Sequence, residues 1–178
     1  VSNGGLTITY TSSNLAVATI VGNQIRVVGL GTTNITAAQP GNANYNAAPS
    51  EIRMLSVSPN TQTITFAPIN KTFLDPNFVP NATSSAGLQI SYYTSSNTAV
   101  ATVLNSTSIR IVGVGTSTIT AFQLGTSVHQ AANAGTTLTV AKANQAIFLS
   151  STSSRSFNTP DYDPLGIASS NLALTYTS

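Results

Sequence analysis

The chain has 178 residues, with six Lys or Arg against four acidic side chains, a single His and no Cys. That composition excludes disulfides, thiol nucleophiles and Cys-based zinc sites. The six cations (Arg26, Arg53, Lys71, Arg110, Lys142 and Arg155) never cluster, so no basic patch for a phosphate backbone exists and nucleic acid is set aside as a partner.

Hydrophobic residues make up 41% of the chain and alternate regularly with polar ones, which sets it apart from disordered sequences. No apolar run approaches the ~18 residues of a membrane-spanning helix. With little charge, solubility rests on Ser, Thr and Asn.

Taken in chain order, Leu6-Thr7-Ile8-Thr9-Tyr10 alternates as a half-buried strand does. Ala16 to Val21 is the next expected strand, after a Ser12-Ser13-Asn14 turn. Gly22-Asn23 has the composition of a tight hairpin turn, with Gln24 to Val28 returning from it. Strands from Thr33 to Ala38 and from Glu51 to Val57 follow, separated by a polar loop, Pro40 to Asn46. No segment shows a helical period.

Most of this then recurs. Tyr10 to Ala37 reads YTSSNLAVATIVGNQIRVVGLGTTNITA, and Tyr93 to Ala121 reads YTSSNTAVATVLNSTSIRIVGVGTSTITA. A third copy opens at Leu174 to Ser178. The period is about 83 residues, the mark of a repeat array. The expected division is residues 1–61, an incomplete repeat lacking its first strands; 62–144, a complete repeat; and 145–178, the N-terminal part of a third.

Expected strands of the complete repeat are Gln62 to Phe66, one near Val79 to Thr83, Leu88 to Tyr93, Ala99 to Leu104, Ser108 to Val112, Ser117 to Phe122 and Thr136 to Ala141. The extra tyrosine of Tyr92-Tyr93 reads as a β-bulge. Short strands with turn signals at this spacing predict an all-β fold. The expected architecture is tandem immunoglobulin-like antiparallel β-sandwich domains, held by packing alone. The staggered repeats lead to the expectation that the chain is a window of a longer polypeptide.

The string Ser-Ser-Asn-x-Ala-Val-Ala-Thr, followed by Ile-Arg-[Ile/Val]-Val-Gly-x-Gly-Thr and Ile-Thr-Ala, resembles the bacterial Ig-like repeats of large surface adhesins. The Gln-x-Ile opening at Gln62 and Gln145 is similar too. Gly41 to Ala48 and the Lys142-Ala143-Asn144-Gln145 junction are similar to repeats of giant adhesins of gliding Bacteroidota. The resemblance implies export, by the type IX route, and display at the cell surface as a filament.

Residues that could carry chemistry are few. His129 has no Ser, Asp or Cys signature beside it, so it makes no catalytic set and reads as an exposed loop residue. Asp161 and Asp163 could ligate calcium, but two carboxylates fall short of a Ca²⁺ shell, and a Pro-flanked turn is the simpler reading. The Thr pairs 7/9, 63/65, 118/120 and 137/139 fit ordinary outward-facing strand positions. Asn34, Asn70, Asn81 and Asn105 head chance sequons. Glu51 and Asp75 are the acids within reach of an isopeptide cross-link, a poor supply. Arg26 and Arg110 are repeat equivalents on a solvent-facing strand position. Gly-x-Gly-Thr at Gly29 and Gly113 lacks the Lys and helix of a phosphate loop.

No catalytic, metal or cofactor residues are assigned, and no enzyme activity is expected. The expected role is that of structural stalk repeats in an extracellular, cell-surface adhesin filament supporting adhesion or gliding. Neighbouring repeats are the expected partners, with glycans or substratum met by other regions, and no nucleic acid or membrane insertion. The alternative is a ligand-binding Ig-like module, with Tyr45 as its candidate aromatic.

Overall fold

The computed structural model describes residues 6–149, 154, 156–158, 160 and 165–177. Every regular element among them is a strand. The first repeat supplies β1 (Thr9–Ser12), β2 (Ala18–Val21), β3 (Gln24–Val27), β4 (Gly31–Gln39) and β5 (Ala48–Val57). The second supplies β6 (Ile64–Phe66), β7 (Ile69–Thr72), β8 (Ala82–Ser84), β9 (Tyr92–Ser95), β10 (Ala101–Leu104), β11 (Ser108–Ile111), β12 (Gly115–Gln123) and β13 (Ala132–Ala141). β14 (Ile147–Leu149) and β15 (Gly166–Ala168) belong to the third.

The sheet order β1-β4-β5 in the first repeat recurs as β9-β12-β13 in the second, where β7 adds a fourth strand. The hairpins β2-β3 and β10-β11 also correspond, as do the pairs β6-β8 and β14-β15. The chain is thus an all-β array of immunoglobulin-like sandwich repeats.

Contacts gather the chain into two compact units whose boundary runs through the second repeat. One comprises Val1–Ala67, Asn81–Tyr93 and Thr120–Gly135; the other comprises Pro68–Pro80, Thr94–Ile119 and Thr136–Ser178. In the first unit Val17, Ala18, Ile35, Tyr93 and Ala121 are buried. In the second, Ile109, Ile119, Leu138 and Val140 are the largest fully buried side chains. They come from alternate positions on β11, β12 and β13, the period-2 pattern legible in the sequence.

Several expectations need amendment. β7 lies where no strand was expected, and it pairs parallel with β13, Ile69 opposite Leu138 and Thr72 opposite Ala141. Its sequence, Ile-Asn-Lys-Thr, holds one apolar residue, too few to show a period. The run from Leu88 becomes a hydrogen-bonded strand only at Tyr92. The strand placed near Val79 to Thr83 is β8, at Ala82–Ser84, while Phe78 forms an isolated antiparallel bridge to Ile109.

The tyrosine insertion has a clear geometry. Thr9 pairs with Ala38, and Ser13 donates to the Asn34 carbonyl, so both strands advance equally between these points. In the second repeat the same bonds join Ser91 to Phe122 and Ser96 to Thr118. One strand therefore carries an additional residue, a bulge, and the Tyr92 ring stacks on Phe122 with centroids 4.7 Å apart.

The hairpin turns differ as well. Gly22, with φ 60°, begins the two-residue turn between Val21 and Gln24, whereas Asn105 and Ser106 take positive φ in the longer second turn.

Both Gly-x-Gly elements are backbone devices. A Cβ on Gly29 would lie 2.3 Å from the Ala16 carbonyl oxygen, and one on Gly113 would lie 2.5 Å from that of Ala99. The second glycines, Gly31 and Gly115, adopt φ 120° and 135°, a region that residues with a Cβ avoid. The element thus lets the strand following the hairpin cross a carbonyl at close range.

Gly113→Ala is expected to destabilise the fold by about 2–4 kcal/mol, because backbone must move. Gly22→Ala, which meets nothing within 4 Å, is expected to cost only about 1 kcal/mol of left-handed strain. Urea unfolding midpoints of the two variants check the ranking.

Candidate functional site

The polar chemistry of this protein is concentrated in side chains that tie strands together. In the first unit the Thr33 hydroxyl, on β4, is buried. It lies 2.8 Å from the Ser12 hydroxyl and accepts from the Asn14 amide at 2.9 Å. Ser13 exchanges bonds with Asn34, its amide donating to the Asn34 carbonyl and its hydroxyl accepting from the Asn34 amide. The Asn14 side chain accepts from the Ala16 amide, and its carbonyl receives the Val17 and Ala18 amides.

The second unit repeats this arrangement with Ser117 in place of Thr33. Ser117 meets the Ser95 hydroxyl at 2.8 Å and the Asn97 amide at 3.1 Å, while Ser96 bonds Thr118 both ways. Ser-Ser-Asn is therefore a staple between the strand it ends and the one beside it, an Asx turn extended by two hydroxyls.

A second buried cluster lies in the first unit, centred on Gln62. Its amide nitrogen donates to Gln123 Oε1 at 2.5 Å and to the Gln130 carbonyl at 2.6 Å. Its amide oxygen accepts from Ser84 Oγ at 2.5 Å, and Gln123 Oε1 also accepts from the Gly125 amide. One side chain so joins the opening of the repeat, β8, the end of β12 and the loop beyond it.

Nearby, Asn60 donates to the Val128 carbonyl at 2.8 Å and accepts from the Gln130 amide at 2.8 Å. Tyr93 packs its ring 5.8 Å from that of Phe66. Burial pushes the Tyr93 phenol above its ordinary pKa, against the opposing pull of a backbone hydrogen bond with Ala82.

The loops 40–46 and 124–130 have one shape and two chemistries. Gly41 and Gly125 take φ 78° and 80°, and the Tyr45 and His129 carbonyls accept from Asn42 and Thr126 in turn. The Asn42 carboxamide caps the Asn44 and Tyr45 amides, as the Thr126 hydroxyl caps Val128 and His129.

Tyr45 is exposed, whereas His129 at the matching position is half-buried, with its Nδ1 3.5 Å from the Thr126 hydroxyl, so the expectation of an exposed histidine is amended; the two residues are not brought to any shared cluster. Arg26 and Arg110 are exposed on β3 and β11. The Asp75 carboxylate accepts from the Thr72 amide at 2.8 Å, an occupied turn position rather than a cross-linking one. Glu51 pairs with Arg53 at 3.5 Å, both largely exposed. Asn34, Asn70, Asn81 and Asn105 are exposed, and of the Thr pairs only Thr120 is part-buried. Asp161 and Asp163 lie outside the described residues. Among the described residues no three His, Cys, Asp or Glu side chains gather as a metal set would.

Gln62 escaped the reading of the sequence as a residue with a role. Its signal was its recurrence at Gln145, together with Gln39 recurring at Gln123.

No known family profile matches the chain, and no curated protein matches it. Among solved structures, it is similar to the surface layer protein SbsC, domains 1-6, with TM-score 0.35, 18% identity, 79% of this chain and 21% of that chain covered. SbsC domains 4 and 5 give TM-score 0.34 and 17% identity over 79% of this chain and 74% of that one. The chain thus spans about a fifth of the first of these structures. The assignment of fold rests on the strand pairing above.

Gln62→Glu tests the buried amide cluster. A carboxylate there would face two acceptors, Gln123 Oε1 and the Gln130 carbonyl, so the charged form is disfavoured and the folded-state pKa must rise above the ordinary ~4.3. The folded state then holds its proton longer than the unfolded one, and stability falls as pH climbs from about 4. At neutral pH the variant is expected to lose about 2–4 kcal/mol, with most of it regained near pH 4. Denaturant melts at the two pH values check this.

Proposed function

We propose that these repeats are non-catalytic stalk segments of an extracellular, cell-surface adhesin filament. The observation that carries the reading is the junction between the first two repeats. Asn60, only three residues after β5 ends, is held by two backbone bonds to the loop at 128–130. A linker that short, with its peptide groups bonded, restricts swing between successive domains. Polar Ser, Thr and Asn surfaces, tandem sandwiches and buried polar staples in place of disulfides suit a long passive spacer.

The adhesin type rests on the Ser-Ser-Asn-x-Ala-Val-Ala-Thr resemblance. From it follow the finer proposals of type IX export and of a part in gliding or adhesion. A ligand site built from the repeats themselves gains no support from Tyr45, since His129 takes its place in the next copy.

Small-angle scattering of chains carrying increasing numbers of this repeat tests the stalk. The expected maximum dimension grows in proportion to repeat number. A radius growing as slowly as that of a compact globule, about the 0.38 power of length, would refute it.

A further inference from the structure

One run of chain in the second repeat stitches two of its sheets together. Residues 69–78 begin as β7 beside β13, turn at Leu74, and reach Phe78, which bonds Ile109 of β11 both ways at 3.0 and 2.7 Å. The four-stranded sheet and the β10-β11 hairpin are tied by this segment.

β7 meets β13 in parallel over four pairs, from Ile69–Leu138 to Thr72–Ala141. The Phe73 amide adds a bond to the Ala141 carbonyl at 2.8 Å. Thr72 instead donates its amide to the Asp75 carboxylate at 2.8 Å, and its carbonyl accepts from the Asp75 amide at 3.0 Å. By the alternation of a ladder, the β7 peptide groups that face β13 are those of Ile69, Lys71 and Phe73.

The ladder is shielded and braced. Leu138 and Val140 of β13 are fully buried, so water has little access from their side. The Lys71 ammonium lies 4.6 Å from the centroid of the Phe78 ring, a cation–π contact between β7 and the residue that bridges to β11.

The positions of entry and exit decide how this pair answers to tension. The chain enters β7 at Ile69 and leaves β13 at Ala141, at opposite ends of the parallel pair. Pulling the repeat by its entry and exit therefore slides the strands past one another, and the ladder bonds carry the load together. In an antiparallel pair, entry and exit would share one end and the bonds would part singly. Resistance to force is governed by the unfolding rate, so the bonds that must break first matter more than total stability.

We infer that β7 and β13 form a shear clamp, which makes the repeat a tension-bearing tether as well as a spacer. The inference rests on the stalk reading for the direction of load, but not for the strength of the clamp.

The chain has no cysteine, so introduced pairs give unique handles for single-molecule stretching of the 178-residue protein. Ala67→Cys with Lys142→Cys loads the ladder in shear. Leu74→Cys with Lys142→Cys places both handles at one end of the pair and peels it. All three sites are exposed. The second repeat is expected to yield at several-fold higher force in shear than in peeling. Lys71→Pro, which deletes a ladder donor, is expected to lower the shear force several-fold, whereas Asn70→Pro, whose N–H faces away from β13, leaves it unchanged. Circular dichroism checks that the variants fold; should either proline variant fail to, the comparison of the two axes decides alone. Equal forces on the two axes, a Lys71→Pro variant as strong as its parent, or equal losses with both prolines would overturn the clamp. Any of these results would leave the extended array, which scattering reads, untouched.

Discussion

The structure depends above all on satisfying buried polar groups where no disulfide can act. An immunoglobulin-like sandwich must hold its opening strand against the rest, and here the Gln62 carboxamide adds a buried tie to the backbone pairing of β6 with β8. Gln62 reaches three separated segments through its two polar atoms. In a low-dielectric interior such bonds are directional, and leaving any one unmade costs about 1–3 kcal/mol. The cluster therefore specifies one arrangement of the strands rather than merely adding attraction.

The remaining devices serve the same constraint. Thr33 and Ser117 are buried hydroxyls that could not be tolerated without partners, and the Ser-Ser-Asn turns supply them in each unit. The Gly-x-Gly elements let the chain pass within van der Waals reach of a carbonyl at Ala16 or Ala99. The expectation of packing alone was incomplete: apolar burial is modest in residues this small, and polar stapling carries part of the specificity. What recurs along the chain is this combination, and a stalk needs nothing more from each copy than a stable body and a short, bonded connection to the next.

Much of the fold was legible because strands with one buried face advertise themselves by alternation. β11 to β13 follow that rule, Ile109, Ile119 and Leu138 falling on the buried phase. β7 was not legible, since an edge strand pairing along one side needs no apolar period, and Ile69 is its sole apolar residue. Leu74, at φ 77°, was equally silent: leucine gives no sign of a left-handed turn, although its repeat counterpart Asn158, at φ 68°, does. The buried glutamine cluster was hidden because glutamine is usually exposed, and only position in the repeat marks it. Candidates for chemistry were recognisable as single residues: Tyr45 and His129 stand on corresponding loops, and Arg26 and Arg110 on corresponding strands.

The central claim is that the junction at Asn60 and the glutamine cluster open together with the domain rather than fraying as a flexible link. Native-state hydrogen exchange at the Asn60, Gly125 and Gln130 amides tests it most directly, because these three donors lie at the linker, the loop and the cluster. The account predicts that all three exchange with nearly the free energy of global unfolding, and that Gln62→Leu lowers their protection together. Rapid exchange at Asn60 and Gln130 while core amides such as Ile119 stay protected would contradict it, leaving the repeats joined by a loose tether.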